Sequence, residues 1–141
     1  MKTRYVVGFL FNPELTKVVL IRKNKPDWQK GLLNGPGGKL KNGEKPQDAM
    51  YREYLEEAGL EILTWRFLGR LVLGDDAEVN FFTGIRKECL INSMEAEPCH
   101  WYSVAEIERL PVIPNLRWLI PFAKLKLQRP DWKEVGTFVT A

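Results

Sequence analysis

The chain has 141 residues, of which 45% are hydrophobic and 28% charged, so disordered and fibrous classes are excluded and one domain over 1–141 is expected. The formal net charge of +3 is too small to indicate a surface that coats nucleic acid. The two cysteines have no paired spacing, and no apolar stretch reaches the roughly 18 residues of a membrane span, so we expect a cytoplasmic protein without membrane segments.

Two runs rich in β-branched residues open the chain. RYVVGFLF and KVVLIRK flank NPELT, whose Asn-Pro pair indicates a turn, so the pattern predicts two antiparallel strands. The next segment, KPDWQKGLLNGPGGKLKNGEKP, is dense in Gly, Pro and Asn and predicts a long loop. Long loops inside compact domains commonly carry function.

A helix over 46–58 is the clearest element of the sequence. Pro46 suits the first helical position, and Gly59 suits the left-handed residue that follows a helix. Helical spacing predicts a core-facing side made of Met50, Tyr51, Tyr54, Leu55 and Ala58.

The remaining chain continues the alternation of strands and helices. EILTWRFLGRLVL and AEVNFFTGIRK are predicted strands around the turn GDD, and SVAEIERL is a predicted short helix. PNLRWLIPFAKLKLQ predicts a longer helix, which must accommodate Pro121 by a kink or by beginning near it.

Three glutamates crowd one face of the first helix. Glu53, Glu56 and Glu57 are three and four residues apart, and Arg52 is placed to pair with Glu56. A solvated acidic face explains any single pair, but like charges about 4 Å apart repel by about 4 kcal/mol near a protein surface. Mg²⁺ would supply the counter-charge, because it prefers oxygen ligands completed by substrate phosphates. The whole cluster therefore predicts a phosphate-handling site.

The segment 38–60 has a defined spacing: Gly38, five residues, Glu44, seven residues, then REYLEEAGL. It resembles the Nudix box of the Nudix hydrolases at every defined position, in the loop-then-helix context that the motif requires. The resemblance, closest to the MutT-type nucleoside triphosphate pyrophosphohydrolases, implies an α+β fold in which helices sandwich a mixed sheet. It also implies an enzyme that hydrolyses nucleoside diphosphates linked to another group.

The resemblance implies Mg²⁺ as the cofactor, with Mn²⁺ able to substitute. The implied metal ligands are Glu53, Glu56, Glu57 and the backbone carbonyl of Gly37 or Gly38. Arg52 then orients a glutamate, Glu44 closes the loop against the helix, and one carboxylate takes the proton of the attacking water.

Some members of the family draw a further carboxylate from a later loop. The segment NSMEAEPCHWY offers Glu95 and Glu97 there, and spacing from Trp101 favours Glu95. A surface glutamate is an equally good interpretation of either residue. In the same family, cations near the loop contact phosphate oxygens, a role that would fall to Lys39, Arg22 and Lys23; solvated strand-end charges explain Arg22 and Lys23 equally well.

Base recognition is implied at two asparagines. Asn34 resembles a base-contacting Asn of oxidised-purine triphosphatases, although an Asn-Gly turn explains it as well. Asn115 matches a base-binding position before the last helix, or it is an N-cap. Leu116 stands where one branch carries a second acidic residue, which departs from the oxidised-purine pattern. Trp28 and Trp118 are candidates for the pocket wall or for the core.

Subfamily markers narrow the substrate. GRLVLGDDAEVNFFTG has neither the Pro nor the Tyr that marks relatives acting on ADP-ribose or diadenosine polyphosphates, which leaves nucleoside triphosphates, cleaved to monophosphate and pyrophosphate. Two alternatives stay open: an RNA 5′-end or cap pyrophosphohydrolase, and a nucleotide-sensing module without catalysis. We expect a nucleotide partner and a monomer or homodimer; a zinc site at Cys99 and His100 lacks further ligands.

Overall fold

The computed structural model describes residues 2–92, 96–129, 131 and 136–140. Its elements in chain order are β1 (Thr3–Phe11), β2 (Lys17–Arg22), β3 (Leu33–Asn34), β4 (Gly37–Lys39), α1 (Pro46–Ala58), β5 (Arg66–Leu73), β6 (Ala77–Ile85), β7 (Cys99–Ser103), α2 (Leu116–Gln128) and β8 (Gly136–Thr140). Short 3₁₀ turns lie at Asp27–Gln29 and Val104–Arg109.

The strands of the described residues form one mixed sheet in the order β3-β2-β1-β6-β5-β8, with β4 paired to β1 and β7 to β2. β1 is parallel to β6, and β5 is parallel to β8; the other pairs are antiparallel. Phe11 pairs with Val18, which confirms the predicted antiparallel arrangement of the first two strands. β4 pairs with the opposite end of β1, at Tyr5, Val6 and Val7, so β1 changes partner along its length.

One helix covers each face of the sheet, because successive residues of β1 point to opposite sides. Val6 and Leu10 belong to the hydrophobic cluster that includes Tyr54 of α1. Phe9 belongs to a second cluster, which includes Leu119 of α2. These two clusters confirm the predicted sandwich of helices around a mixed sheet.

Helix α1 has the predicted bounds, but its buried face differs from the prediction. Gly59 ends it in the left-handed conformation with φ of 70°. Leu55 is 40% exposed, so its placement in the core was wrong, whereas Met50, Tyr54 and Ala58 are buried. Tyr51 is half-buried, and its hydroxyl donates to Glu61 at 3.1 Å.

Other differences concern short or isolated strands. The predicted loop contains β3 and β4. The predicted strand EILTWRFLGRLVL begins later than expected, because residues 61–65 are not in a strand. The predicted short helix is a 3₁₀ turn, and α2 runs through Pro121. β7 and β8 have no counterpart among the sequence predictions.

Candidate active site

Helix α1 places two of its three clustered carboxylates against the sheet. Glu53 is 9% exposed and Glu57 is 6% exposed, because both share the buried side of the helix with Tyr54. The side chain of Glu56 is 43% exposed. Buried carboxylates are rare unless something charged or polar compensates them, so this face needs a positive partner.

Among the described residues, Arg52 is a positive partner of Glu53 and Glu56. Its Nε and Nη2 donate to the two oxygens of Glu44, both at 2.8 Å, and its Nη1 donates to Glu53 at 2.8 Å. Nη2 also donates to the carbonyl of Lys39 at 3.1 Å, and Nη1 lies 3.4 Å from Glu56. One guanidinium therefore ties the loop before α1 to the carboxylates on the helix.

Glu44 also receives the backbone N–H of Lys41 at 3.0 Å, which closes the loop between β4 and α1. The hydrogen bond from Arg52 is the main cause that lowers the pKa of Glu44 from 4.5 to about 2. The same contact raises the pKa of Arg52 above its usual range. Both groups are therefore charged throughout the physiological range.

Strand β4 lies directly against the carboxylates of α1. A Cβ atom added to Gly38 would collide with the carboxylate of Glu53, and one added to Gly37 would collide with the carbonyl of Val6. A side chain at Gly37 would meet backbone, and one at Gly38 would displace the carboxylate of Glu53. The main chain of β4 is thus held beside Glu53, as the implied metal site requires.

The donor set fits a hard divalent cation in its chemistry. Carboxylate and backbone carbonyl oxygens are the ligands that Mg²⁺ takes. Within the described ranges, however, no three His, Cys, Asp or Glu side chains are gathered as a ready-made metal cage. In this arrangement Arg52, through contacts with Glu53 and Glu56, supplies the positive charge.

A cavity of about 520 Å³ borders β4. Its lining residues are Tyr5, Val6, Val7, Lys23, Pro26, Trp28, Gln29, Asn34, Gly35, Gly37, Gly38, Leu71, Leu73, Ala77, Val79, Phe81, Ile113 and Asn115. The walls are mainly apolar with a few polar groups, which is the usual composition of a small-molecule site. Trp28 is 67% exposed and presents its ring at this cavity rather than in the core.

Three carboxamide side chains line the cavity. Asn34 Oδ1 accepts the N–H of Gly35 at 2.8 Å, which is the turn contact expected of an Asn-Gly pair. Asn115 occupies the N-cap position of α2 but makes no capping hydrogen bond, and its Oδ1 is buried without a partner. Gln29 Oε1 is also buried without a partner. Leaving such an acceptor unpaired costs about 1–3 kcal/mol.

Known proteins resemble this chain in sequence and in fold. The model of the NUDIX domain matches residues 1–122. The chain belongs to the Nudix family. It is similar to the uncharacterised Nudix hydrolase YvcI of Bacillus subtilis, with 29% identity over 115 residues that cover 75% of this chain and 70% of YvcI. As a Nudix hydrolase, it is a pyrophosphohydrolase that acts on nucleoside diphosphate-linked substrates.

Solved Nudix structures share its fold. The NUDIX domain of Shewanella oneidensis NrtR, in complex with ADP ribose, superposes with a TM-score of 0.78 at 18% identity and covers 90% of this chain and 89% of that one. The MutT protein of Bacillus halodurans superposes with a TM-score of 0.67 at 23% identity and covers 84% and 80%. Identities this low support the fold and not the substrate.

The three basic side chains predicted to contact phosphate oxygens lie in different places in this Nudix chain. Lys23 lines the cavity, and its Nζ lies 3.2 Å from Glu97. Arg22 lies outside the cavity lining and donates to the carbonyl of Gly31 at 3.1 Å. Lys39 lines a separate open depression of about 630 Å³ beside the Nudix box loop, together with four other cationic residues, Lys2, Arg4, Lys41 and Lys45.

Of the two carboxylates predicted in the later loop, the structure describes only Glu97. Glu95 lies outside the described residues. Glu97 accepts the backbone N–H groups of Asn24 and Lys25 as well as the ammonium of Lys23, so it holds the segment after β2. Burial alone would raise the pKa of Glu97, but these donors outweigh it and lower the pKa below its ordinary value.

Trp118 packs against Phe138 with ring centroids 4.7 Å apart and is not part of the cavity lining. Cys89 and Cys99 carry reduced thiols, and burial is the main cause that raises the pKa of Cys99 to about 12. Among the residues that the structure describes, no cluster of metal-ligating side chains includes Cys99 and His100. No helix in the described part of the chain has the length and apolarity to cross a membrane.

Proposed function

We propose that this Nudix hydrolase cleaves a purine nucleoside triphosphate to the monophosphate and pyrophosphate, with Mg²⁺ as cofactor. The observation that carries the proposal is the position of Gly38. This residue lines the cavity and also lies against the carboxylate of Glu53. A base in the cavity and a phosphate chain at the helix carboxylates are therefore separated by one short strand.

Glu53, Glu56 and Glu57, with a backbone carbonyl of Gly37 or Gly38, would hold the cation. When bound, it would stabilise charge on the phosphoryl oxygens and lower the pKa of the attacking water. The chain's own groups position the substrate around it. Arg52 fixes Glu53 and Glu44 relative to each other, and one of the α1 carboxylates would accept the proton of the attacking water.

The cavity supports recognition of a flat, partly polar group. Its apolar walls and the exposed ring of Trp28 suit the faces of a purine, which stack on aromatic side chains. Asn34 and Asn115 offer carboxamides to its edge. Lys23 lies in the same lining and carries the positive charge that a phosphate would contact. Free thiols fit a reducing compartment, and we extend the proposal to a cytoplasmic location.

A substrate panel tests the proposal. We would assay purine and pyrimidine triphosphates, 8-oxo-purine triphosphates, ADP-ribose and 5′-triphosphorylated RNA with Mg²⁺, and separate the products. Purine triphosphates should give monophosphate and pyrophosphate with the highest kcat/KM. ADP-ribose belongs in the panel because the NrtR domain binds it. A clear preference for ADP-ribose or RNA would reject the triphosphate assignment, and tight binding without turnover of any nucleotide would indicate a sensing module.

A further inference from the structure

Two orphaned acceptors lie in the lining of one cavity. Gln29 Oε1 and Asn115 Oδ1 are both buried and have no hydrogen-bond partner in the described structure. They come from distant parts of the chain: Gln29 ends the 3₁₀ turn after β2, and Asn115 immediately precedes α2. Buried acceptors of this kind are normally paired in a native protein, so each needs an N–H or O–H donor.

The third carboxamide of the cavity is in a different state. Asn34 uses its oxygen to accept the N–H of Gly35, so its NH₂ group is what remains to offer a ligand. Gln29 and Asn115 instead require donors. The lining therefore suits a ligand that offers two hydrogen-bond donors and one acceptor in addition to a flat apolar ring.

The main chain around Gln29 is held firmly. Its N–H donates to the carbonyl of Pro26 at 2.9 Å, and its carbonyl accepts the N–H of Leu32 at 2.8 Å. The ion pair between Lys23 and Glu97 secures the start of the same segment. Because the backbone on both sides is hydrogen-bonded, Gln29 has a defined position in the cavity lining.

We propose that Gln29 is a specificity-determining residue that, together with Asn115, accepts hydrogen bonds from a purine edge with two donor groups. A guanine-type edge has this pattern, with an imino N–H and an exocyclic amino group beside a carbonyl acceptor. Adenine, cytosine and uracil each present a single donor group on the corresponding edge. The inference rests on the proposed function, because it needs a base in this cavity.

Equilibrium binding of GMP and IMP to the full chain tests the inference without any hydrolysis. IMP lacks only the exocyclic amino group of GMP. The wild-type protein should bind GMP about tenfold more tightly, the usual worth of one hydrogen bond in a closed site. Gln29→Met, which keeps the size but removes the acceptor, should bring the two affinities within about twofold. Lys30→Gln, in the same segment and outside the cavity lining, should leave the ratio unchanged.

Gln29→Glu retains an acceptor and should keep part of the discrimination. Equal affinities in the wild-type protein, or an unchanged ratio in Gln29→Met, would overturn the inference. A lower melting temperature of Gln29→Met with an unchanged ratio would show a purely structural carboxamide. If Gln29→Met does not fold, Asn115→Ala must show the same narrowing of the ratio for the inference to stand. Discrimination between GMP and IMP that persists without triphosphate hydrolysis would reject the proposed reaction while supporting this inference.

Discussion

At the scale of single residues, Arg52 connects most of the site. Its guanidinium contacts Glu44, Glu53, Glu56 and the carbonyl of Lys39, so a loop and a helix share one positive charge. Such bidentate pairs fix geometry as well as charge, and lysine could not reproduce them. The arrangement keeps carboxylates close together where their mutual repulsion would otherwise separate them.

Glu57→Gln should abolish most hydrolysis without unfolding the protein. The substitution removes a carboxylate charge from a position that is 6% exposed while keeping the side-chain volume. We expect kcat/KM to fall about 100-fold at saturating Mg²⁺, as is typical when a metal site is disrupted. The measurement is steady-state hydrolysis together with thermal unfolding, with the exposed Glu108→Gln as the matched control. Near-normal turnover would mean that the carboxylate takes no part in the chemistry.

The ion pair between Glu44 and Arg52 predicts a defined loss of stability in acid. The pKa of Glu44 is lowered from 4.5 to about 2 in the folded state, chiefly by Arg52, so the stabilisation is present above pH 4.5 and is lost as the pH falls towards about 2. Glu44→Gln should reduce stability by about 1 kcal/mol at pH 7, and the difference from wild type should vanish near pH 2. Urea unfolding at a series of pH values measures it, and a difference that stays constant with pH would contradict it.

At the scale of elements, the sequence predicted what local signals determine. Pro46 and Gly59 bound α1 because both act on their own backbone angles. The sequence did not predict β3 and β4, because two- and three-residue strands are too short to show a periodicity. They form by pairing with β2 and β1, respectively. Leu55 was misplaced because helical spacing alone does not show which of two adjacent faces meets the sheet.

The candidate site divides in the same way. The Nudix box residues are consecutive in sequence and fall together on one loop and helix, so spacing alone could predict their proximity. No sequence feature indicated a role for Gln29, because a glutamine next to a tryptophan in a loop is common at protein surfaces. Its significance lies in an unpaired buried oxygen, which depends on Asn115 and the other distant residues that close the cavity.

Glu97→Gln should change KM, because Glu97 holds the segment after β2 in place. Its carboxylate holds Lys23 and the backbone of Asn24, so Glu97→Gln should loosen the cavity rim rather than disturb the helix carboxylates. We expect KM to rise about tenfold, the loss of one charge-assisted contact, with kcat changed less than twofold. Glu88→Gln is the control, because Glu88 also pairs with a lysine, Lys17, outside the cavity lining. A fall in kcat at constant KM would instead identify Glu97 as a base.

At the scale of the whole molecule, the sheet separates two functions. β1 contributes alternate residues to both faces, with the carboxylate helix on one side and α2 on the other. β4, paired to one end of β1, borders the cavity and also lies against Glu53. In the proposed assignment, chemistry and recognition therefore meet at one strand, and most of their supporting residues belong to separate clusters.

Removal and return of the cation should affect both activity and global stability. EDTA should eliminate hydrolysis, and Mg²⁺ should restore it, with Mn²⁺ as a substitute. Because the cation would bind the folded chain and not the unfolded one, Mg²⁺ at about 100 times its dissociation constant should add about 2.7 kcal/mol of stability. Arg52→Gln, measured alongside, should weaken this stabilisation because the carboxylates would lose their positioning group. Stability and turnover that are both insensitive to EDTA would contradict metal dependence.

Because the hydrophobic core is divided into two clusters, substitutions near one cluster can accumulate during evolution with little effect on the other. Substitutions in the cavity wall, such as at Leu71 or Val79, fall in the neighbourhood of the α2 cluster, whereas the helix that bears the glutamates packs into the other. Well-separated sites contribute nearly additively to stability. Under the proposed assignment, substitutions that change ligand preference can therefore accumulate beside the α2 cluster while the helix that bears the glutamates stays unchanged.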